Sequence, residues 1–155
     1  MNGTHQADRV VGRVDVDQVG DRLELYLLGE DVEGARMFQD QIQDSMRWLR
    51  HALEQIGCEL LYSGCDDVLF QIQAGGYQHS AVEQLREQFS RRTGCTLSYG
   101  FGGTISEALR NLRVAKLSGR NRAVGRLPTL SGDRGGAIPL QSDQHGTLPV
   151  ARMLS

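Results

Sequence analysis

Residues 22–28 (RLELYLL) alternate apolar and polar positions and then turn wholly apolar, the pattern of a half-buried strand. Over residues 31–56, Phe38, Ile42, Leu49, Leu53 and Ile56 recur at steps of four, seven, four and three, which places them on one face of a long helix that Gly57 ends. Residues 58–63 (CELLYS) and 68–73 (VLFQIQ) predict two short strands joined by Gly64-Cys65-Asp66-Asp67, a hairpin by length and turn chemistry. A second helix over 79–93 turns Val82, Leu85 and Phe89 inward, and 96–101 is a fourth strand. Thr104-Ile105-Ser106-Glu107 then fits a capping box and opens a third helix, with Ile105, Leu109, Leu112 and Ala115 on one face and Gly119 as its stop. The order β-α-β-β-α-β-α predicts an α+β fold, a ferredoxin-like βαββαβ domain with one appended C-terminal helix.

Composition sets the limits of that domain. All nine aromatic residues lie between Tyr26 and Phe101, whereas the three prolines are Pro128, Pro139 and Pro149. The folded domain is therefore expected at 21–125, followed by a flexible tail at 126–155. Residues 1–20 read as an N-terminal extension whose weak Val alternation (Val14, Val16) would add an edge strand. Seventeen basic against nineteen acidic residues give a net charge of -2, which argues against direct nucleic-acid binding as the main task. No apolar run approaches the roughly 18 residues of a membrane span. Cys58, Cys65 and Cys95 cannot all pair within one chain and show no C-x-x-C spacing, so a reducing cytoplasmic setting is expected.

The predicted topology concentrates charge at one end of the sheet. The first and third strands of such a fold are antiparallel neighbours, so the end of the first, leading to Glu30 and Asp31, lies beside Asp66 and Asp67. The last helix delivers Lys116, Arg120 and Asn121 to the same edge. Carboxylates this close raise one another's pKa unless a cation intervenes. Hard oxygen ligands beside a lysine suit Mg²⁺ or Mn²⁺ carrying a nucleotide. Lys116 is the only lysine among the seventeen basic residues, and it falls near the buried face of its helix.

These residues resemble a known family. Leu60-Leu61-Tyr62-Ser63-Gly64-Cys65-Asp66-Asp67-Val68-Leu69-Phe70 is similar to the G-G-D-D hairpin of palm-domain polymerases and cyclases. Ser98-Tyr99-Gly100-Phe101-Gly102, then Glu107-Ala108, then Ala115-Lys116 through Gly119-Arg120-Asn121 resembles the S-x-G-x-G, E-A and A-K-x-x-G-[KR]-N signature of diguanylate cyclases and type III CRISPR palms. The short chain and the G-x-D-D form resemble the minimal CRISPR polymerases most. The resemblance implies an Mg²⁺-dependent nucleotidyltransferase that joins nucleoside triphosphates, ATP first among them, into a cyclic dinucleotide or short cyclic oligonucleotide. It further implies a homodimer, a downstream cyclic-nucleotide effector and a role in antiviral defence.

Carried over residue by residue, Asp66 and Asp67 match the metal-binding pair and Lys116 the triphosphate lysine. Ser63, Gly64, Cys65, Arg120 and Asn121 complete the candidate nucleotide-binding set. Asp31 matches a metal ligand after the first strand, where the family reads D-G-D and this chain would read Gly29-Glu30-Asp31. Cys65 stands where the family has Gly, a position at which a Cβ is strained if φ is positive. The alternative reading is a palm that lacks turnover and binds a nucleotide or cyclic dinucleotide as a sensor. Met37 and Trp48 fit either a dimer patch or a second core contact.

Overall fold

In the computed structural model, which describes residues 8–125, β1 (Arg9–Val16) starts the fold and two helices follow it, α1 (Val19–Leu28) and α2 (Val32–Gln55). The hairpin of β2 (Glu59–Ser63) and β3 (Asp67–Gln73) leads through a short 3₁₀ turn into α3 (His79–Thr93). The chain then runs through β4 (Leu97–Gly102), α4 (Ile105–Leu117) and the three-residue β5 (Ala123–Gly125). The sheet order is β2-β3-β1-β4-β5, with β1 antiparallel to both neighbours and β5 parallel to β4. The expected ferredoxin-like α+β arrangement is present, including the appended helix α4. The expected tail at 126–155 lies outside the described residues.

Two expectations at the N-terminal end need correction. Residues 22–28 are helix, and the first strand is 9–16, at the centre of the sheet where an optional edge strand was expected. The alternation of 22–28 was misleading because α1 is peripheral and buries no residue fully. Val19, Leu23 and Tyr26 lean on the core as a helical stripe, while Leu25, Leu27 and Leu28 are exposed. Apolar residues on two sides of a helix imitate period two. Arg22 anchors α1 by stacking over Phe38, 5.0 Å from the ring centre.

Along β1 the side chains alternate between two covered faces, which is why only every other valine looked patterned. Val10, Val14 and Val16 face the layer of α2 and α3, joining Phe38, Ile42, Met46, Leu49, Phe70, Leu85, Phe89 and Tyr99 in the main core. The opposite face carries Val11, Arg13 and Asp15. Here α4 packs across β4, β1 and β5, and Gly100 permits the contact: a Cβ there would lie 2.1 Å from the Ala108 carbonyl oxygen and from the Leu112 nitrogen. Of the capping box expected for α4 the Thr104 half is formed, accepting from the Glu107 N–H, while Glu107 accepts from the N–H of Gly103, one residue before the N-cap, at 2.8 Å.

On that same face polar side chains tie the β2-β3 side together. Arg9 donates to Gln71 at 2.7 Å, and Gln71 donates to Glu59 at 2.6 Å. Of the two residues considered for a dimer patch, Trp48 packs against the core beneath Arg92, whereas Met37 is exposed. Among the described residues no helix is long and apolar enough to cross a membrane.

Candidate active site

The end of β1 and the turn before β3 place acidic residues side by side. Asp15 is the cross-strand partner of Asp67, so their side chains rise on the same face. The Val16 N–H donates to the Asp66 carbonyl at 2.9 Å, and the Asp17 N–H to the Thr96 carbonyl at 2.8 Å, fixing the segment Asp15-Val16-Asp17 between the hairpin turn and the start of β4. Lys116 arrives from the last turn of α4.

These carboxylates differ in environment. Asp17 is only 2% exposed and fully engaged. It accepts hydrogen bonds from Lys116 Nζ at 2.6 Å, Thr96 Oγ1 at 2.6 Å, Ser98 Oγ at 2.8 Å and the Asn121 N–H at 3.1 Å. That last donor is presented by a turn in which Gly119, Arg120 and Asn121 all have positive φ (111°, 61° and 49°). Lys116 also donates to the Val16 carbonyl at 3.2 Å and stands 3.4 Å from Asp15 Oδ2. Arg120 is exposed, and the Asn121 side chain accepts from Arg86.

Asp67 is buried as well. One of its oxygens accepts from Arg13 Nη2 at 2.8 Å. The other lies over Gly64, where a Cβ would come within 2.0 Å of it. Gly64 thus leaves room for the carboxylate behind it. Asp66 is exposed. Asp15 is partly buried, and its carboxyl is raised above the ordinary Asp range, first by desolvation and then by the charges of Asp66 and Asp67, with Lys116 pulling in the opposite direction.

Among the described residues no three His, Cys, Asp or Glu side chains already converge as a metal-binding group. Mg²⁺ does not need three, since it is commonly held by one or two carboxylates together with water and substrate phosphate. The like-charge crowding around Asp15 is the observation that fits a divalent cation here; Asp66 is exposed, and Asp15 shares Lys116 with Asp17 at the longer distance of 3.4 Å.

The sequence-predicted residues are partly brought together. Ser63, Gly64, Cys65, Asp66 and Asp67 form the hairpin turn, and Lys116, Arg120 and Asn121 reach the same edge. Asp31 does not join them. It is the exposed N-cap of α2 and accepts from the Gly34 N–H at 2.8 Å. It was placed at the site by taking 22–28 for the first strand; the ten residues of α1 separate it from the end of β1 by about 15 Å of helix rise. The acidic triplet at the end of the first strand is Asp15-Val16-Asp17, with both carboxylates present. Cys65 is exposed and is not one of the positive-φ residues, so the strain foreseen for a Cβ there is absent. Sequence reading missed Asp15, Asp17 and Arg13, although Asp-Val-Asp at the end of a Val-rich run was the available signal.

The sequence pattern of the minimal CRISPR polymerase domain matches residues 12–126, from within β1 to just past β5. The chain belongs to this family. As a minimal CRISPR polymerase its fold is a palm, similar to solved structures of low sequence identity. A chain of a Csm1-Csm4 cassette in complex with AMPPNP matches with TM-score 0.58 and 22% identity, over 81% of this chain and 22% of that one. The Csm1-Csm4 cassette in complex with pppApA gives TM-score 0.57 and 20% identity, over 76% of this chain and 21% of that one. The GGDEF domain of DgcB from Caulobacter crescentus in complex with c-di-GMP gives TM-score 0.52 and 14% identity, over 74% of this chain and 75% of that domain's chain. The chain spans about a fifth of the length of the Csm1-Csm4 chains it matches. No curated protein matches it.

Proposed function

We propose that this palm is a metal-dependent nucleotidyltransferase that joins nucleoside triphosphates, ATP first among them, into a cyclic dinucleotide or short cyclic oligonucleotide. The observation that carries the reading is the pairing of Asp15 with Asp67, next to Asp66 and below Lys116: negative charge gathered at one sheet edge with a single ammonium beside it. The neighbours solved with AMPPNP, pppApA and c-di-GMP support a nucleotide as ligand.

In the reaction a ribose hydroxyl of one nucleotide attacks the α-phosphorus of another, a P–O bond forms, the bond to pyrophosphate breaks, and the hydroxyl proton passes to solvent. Asp15 and Asp66 would hold Mg²⁺ or Mn²⁺, which supplies charge neutralisation at the phosphates and lowers the hydroxyl pKa. Lys116 is held by Asp17 and the Val16 carbonyl, so its ammonium is oriented before substrate arrives and costs little reorganisation in the transition state. Ser63, Gly64, Cys65, Arg120 and Asn121 border the same edge and form the proposed nucleotide-binding rim. Ring closure requires two transfers, which two facing copies of the palm would supply. A cyclic product would act through a downstream effector, in keeping with a role in antiviral defence.

Incubation of the purified protein with the four ribonucleoside triphosphates and Mg²⁺ or Mn²⁺, read by mass spectrometry, tests this reading. A cyclic product is expected from the native chain and not from the Asp66→Ala, Asp67→Ala double variant. Metal-dependent nucleotide binding without any pyrophosphate release would instead establish a sensor. That second reading is favoured by one observation, the engagement of Asp17 and Asp67 by cations of the protein itself.

A further inference from the structure

Arg13 stands where a second cation would stand. It sits on the central strand two residues before Asp15, on the same face, and opposite Gly100 of β4. Its guanidinium reaches Asp67 at 2.8 Å, and the Asp67 side chain retains only 12% exposure. The second Asp67 oxygen lies over Gly64, in the space a Cβ would take. Asp67 is therefore neutralised within the fold, whereas Asp15 shares Lys116 with Asp17, at 3.4 Å, and Asp66 is exposed. Asp17 is likewise neutralised by Lys116 and satisfied by three further donors.

We propose that Arg13 replaces a second divalent ion at Asp67, so that this palm works with one metal, held at Asp15 and Asp66, and with a fixed guanidinium beside it. The inference rests on the nucleotidyl-transfer reading above and deepens it. A buried carboxylate already paired with a planar, permanently charged group gains little from exchanging it for a strongly hydrated dication. The guanidinium is also 34% exposed, so it keeps donors free toward the open side of the sheet, where a triphosphate oxygen bound to the single metal can accept from them. Arg13 is thereby a positioning residue for Asp67 and a specificity residue for the metal count.

Mn²⁺ binding to the full chain, followed by electron paramagnetic resonance of the free ion without nucleotide, which would itself chelate Mn²⁺, reads the stoichiometry directly. The native chain is expected to bind one Mn²⁺, Arg13→Gln two, and Arg13→Lys, which keeps a cation, one. Asp67→Asn, which leaves the Asp15 and Asp66 ligands in place, is expected to retain its single Mn²⁺ with affinity within about threefold of the native value, and it serves if Arg13→Gln does not fold. Two ions on the native chain, one ion on a folded Arg13→Gln, or loss of Mn²⁺ from a folded Asp67→Asn would each overturn the assignment of Arg13 while leaving metal-dependent nucleotide binding intact. No Mn²⁺ on the native chain would overturn both this inference and the nucleotidyl-transfer reading.

Discussion

At the scale of single residues, Asp15 carries opposing demands. Its raised carboxyl means that the folded state prefers the protonated form more than the unfolded chain does. The associated stability is complete below the ordinary value near 3.8 and is lost as pH rises through the folded value. Asp15→Asn is therefore expected to melt at the same temperature as the native chain or higher at pH 7, and to lose that part of the acid-side pH dependence, as thermal unfolding at several pH values would read. Nucleotidyl transfer in the same variant should fall by about 10²-fold or more, because the metal loses a ligand. Stability and activity moving apart is the mark of a residue kept for chemistry. In the sequence, Asp66, Asp67 and Lys116 could be singled out because turn chemistry and rarity mark them. Asp15 and Asp17 could not be marked in that way, since an acidic residue at a strand end gains meaning only from what the sheet places beside it. Cys58, by contrast, looked no different from Cys65, yet burial pushes its thiol up to about 12 while Cys65 is exposed.

At the scale of elements, the contact of α4 with β4 decides where Lys116 stands. The spacing Ser98, Gly100, Gly102 on one strand face, against Ala108, Leu112 and Ala115 on the helix, brings the two backbones into close approach. Gly100→Ala inserts a methyl group against helix backbone that has no room to yield, and should cost about 1–3 kcal/mol of stability by urea titration. Because the helix would be lifted with Lys116 on it, the KM for nucleotide should rise as well. The long amphipathic α2, the hairpin, α3, β4 and the capped α4 were legible from periodicity and punctuation. The three-residue β5 was not foreseen. The two elements misjudged at the N-terminal end fail for opposite reasons: β1 is covered on both faces and so alternates weakly, whereas α1 is covered on hardly any and so is free to place leucines outward. Together these two moved the acidic triplet by one element. The topological argument itself survived, because the neighbour of β3 is the first strand whichever residues compose it.

At the scale of the whole molecule, the site joins the central strand, the hairpin and the C-terminal turn, so a ligand bound there holds together segments far apart in the chain. Mn²⁺ with AMPPNP at a hundred times its dissociation constant should add about 2.7 kcal/mol to unfolding. That would move the thermal midpoint by roughly 10 °C. The double variant Asp66→Ala, Asp67→Ala should show no such movement. The β2 border of the sheet has a consequence of another kind. There β2 pairs with β3 through a register shift between Leu60 and Tyr62. A shifted strand is twisted out of line and is a poor template for a strand from a neighbouring molecule. At that border the palm thus carries its own guard against edge-to-edge aggregation.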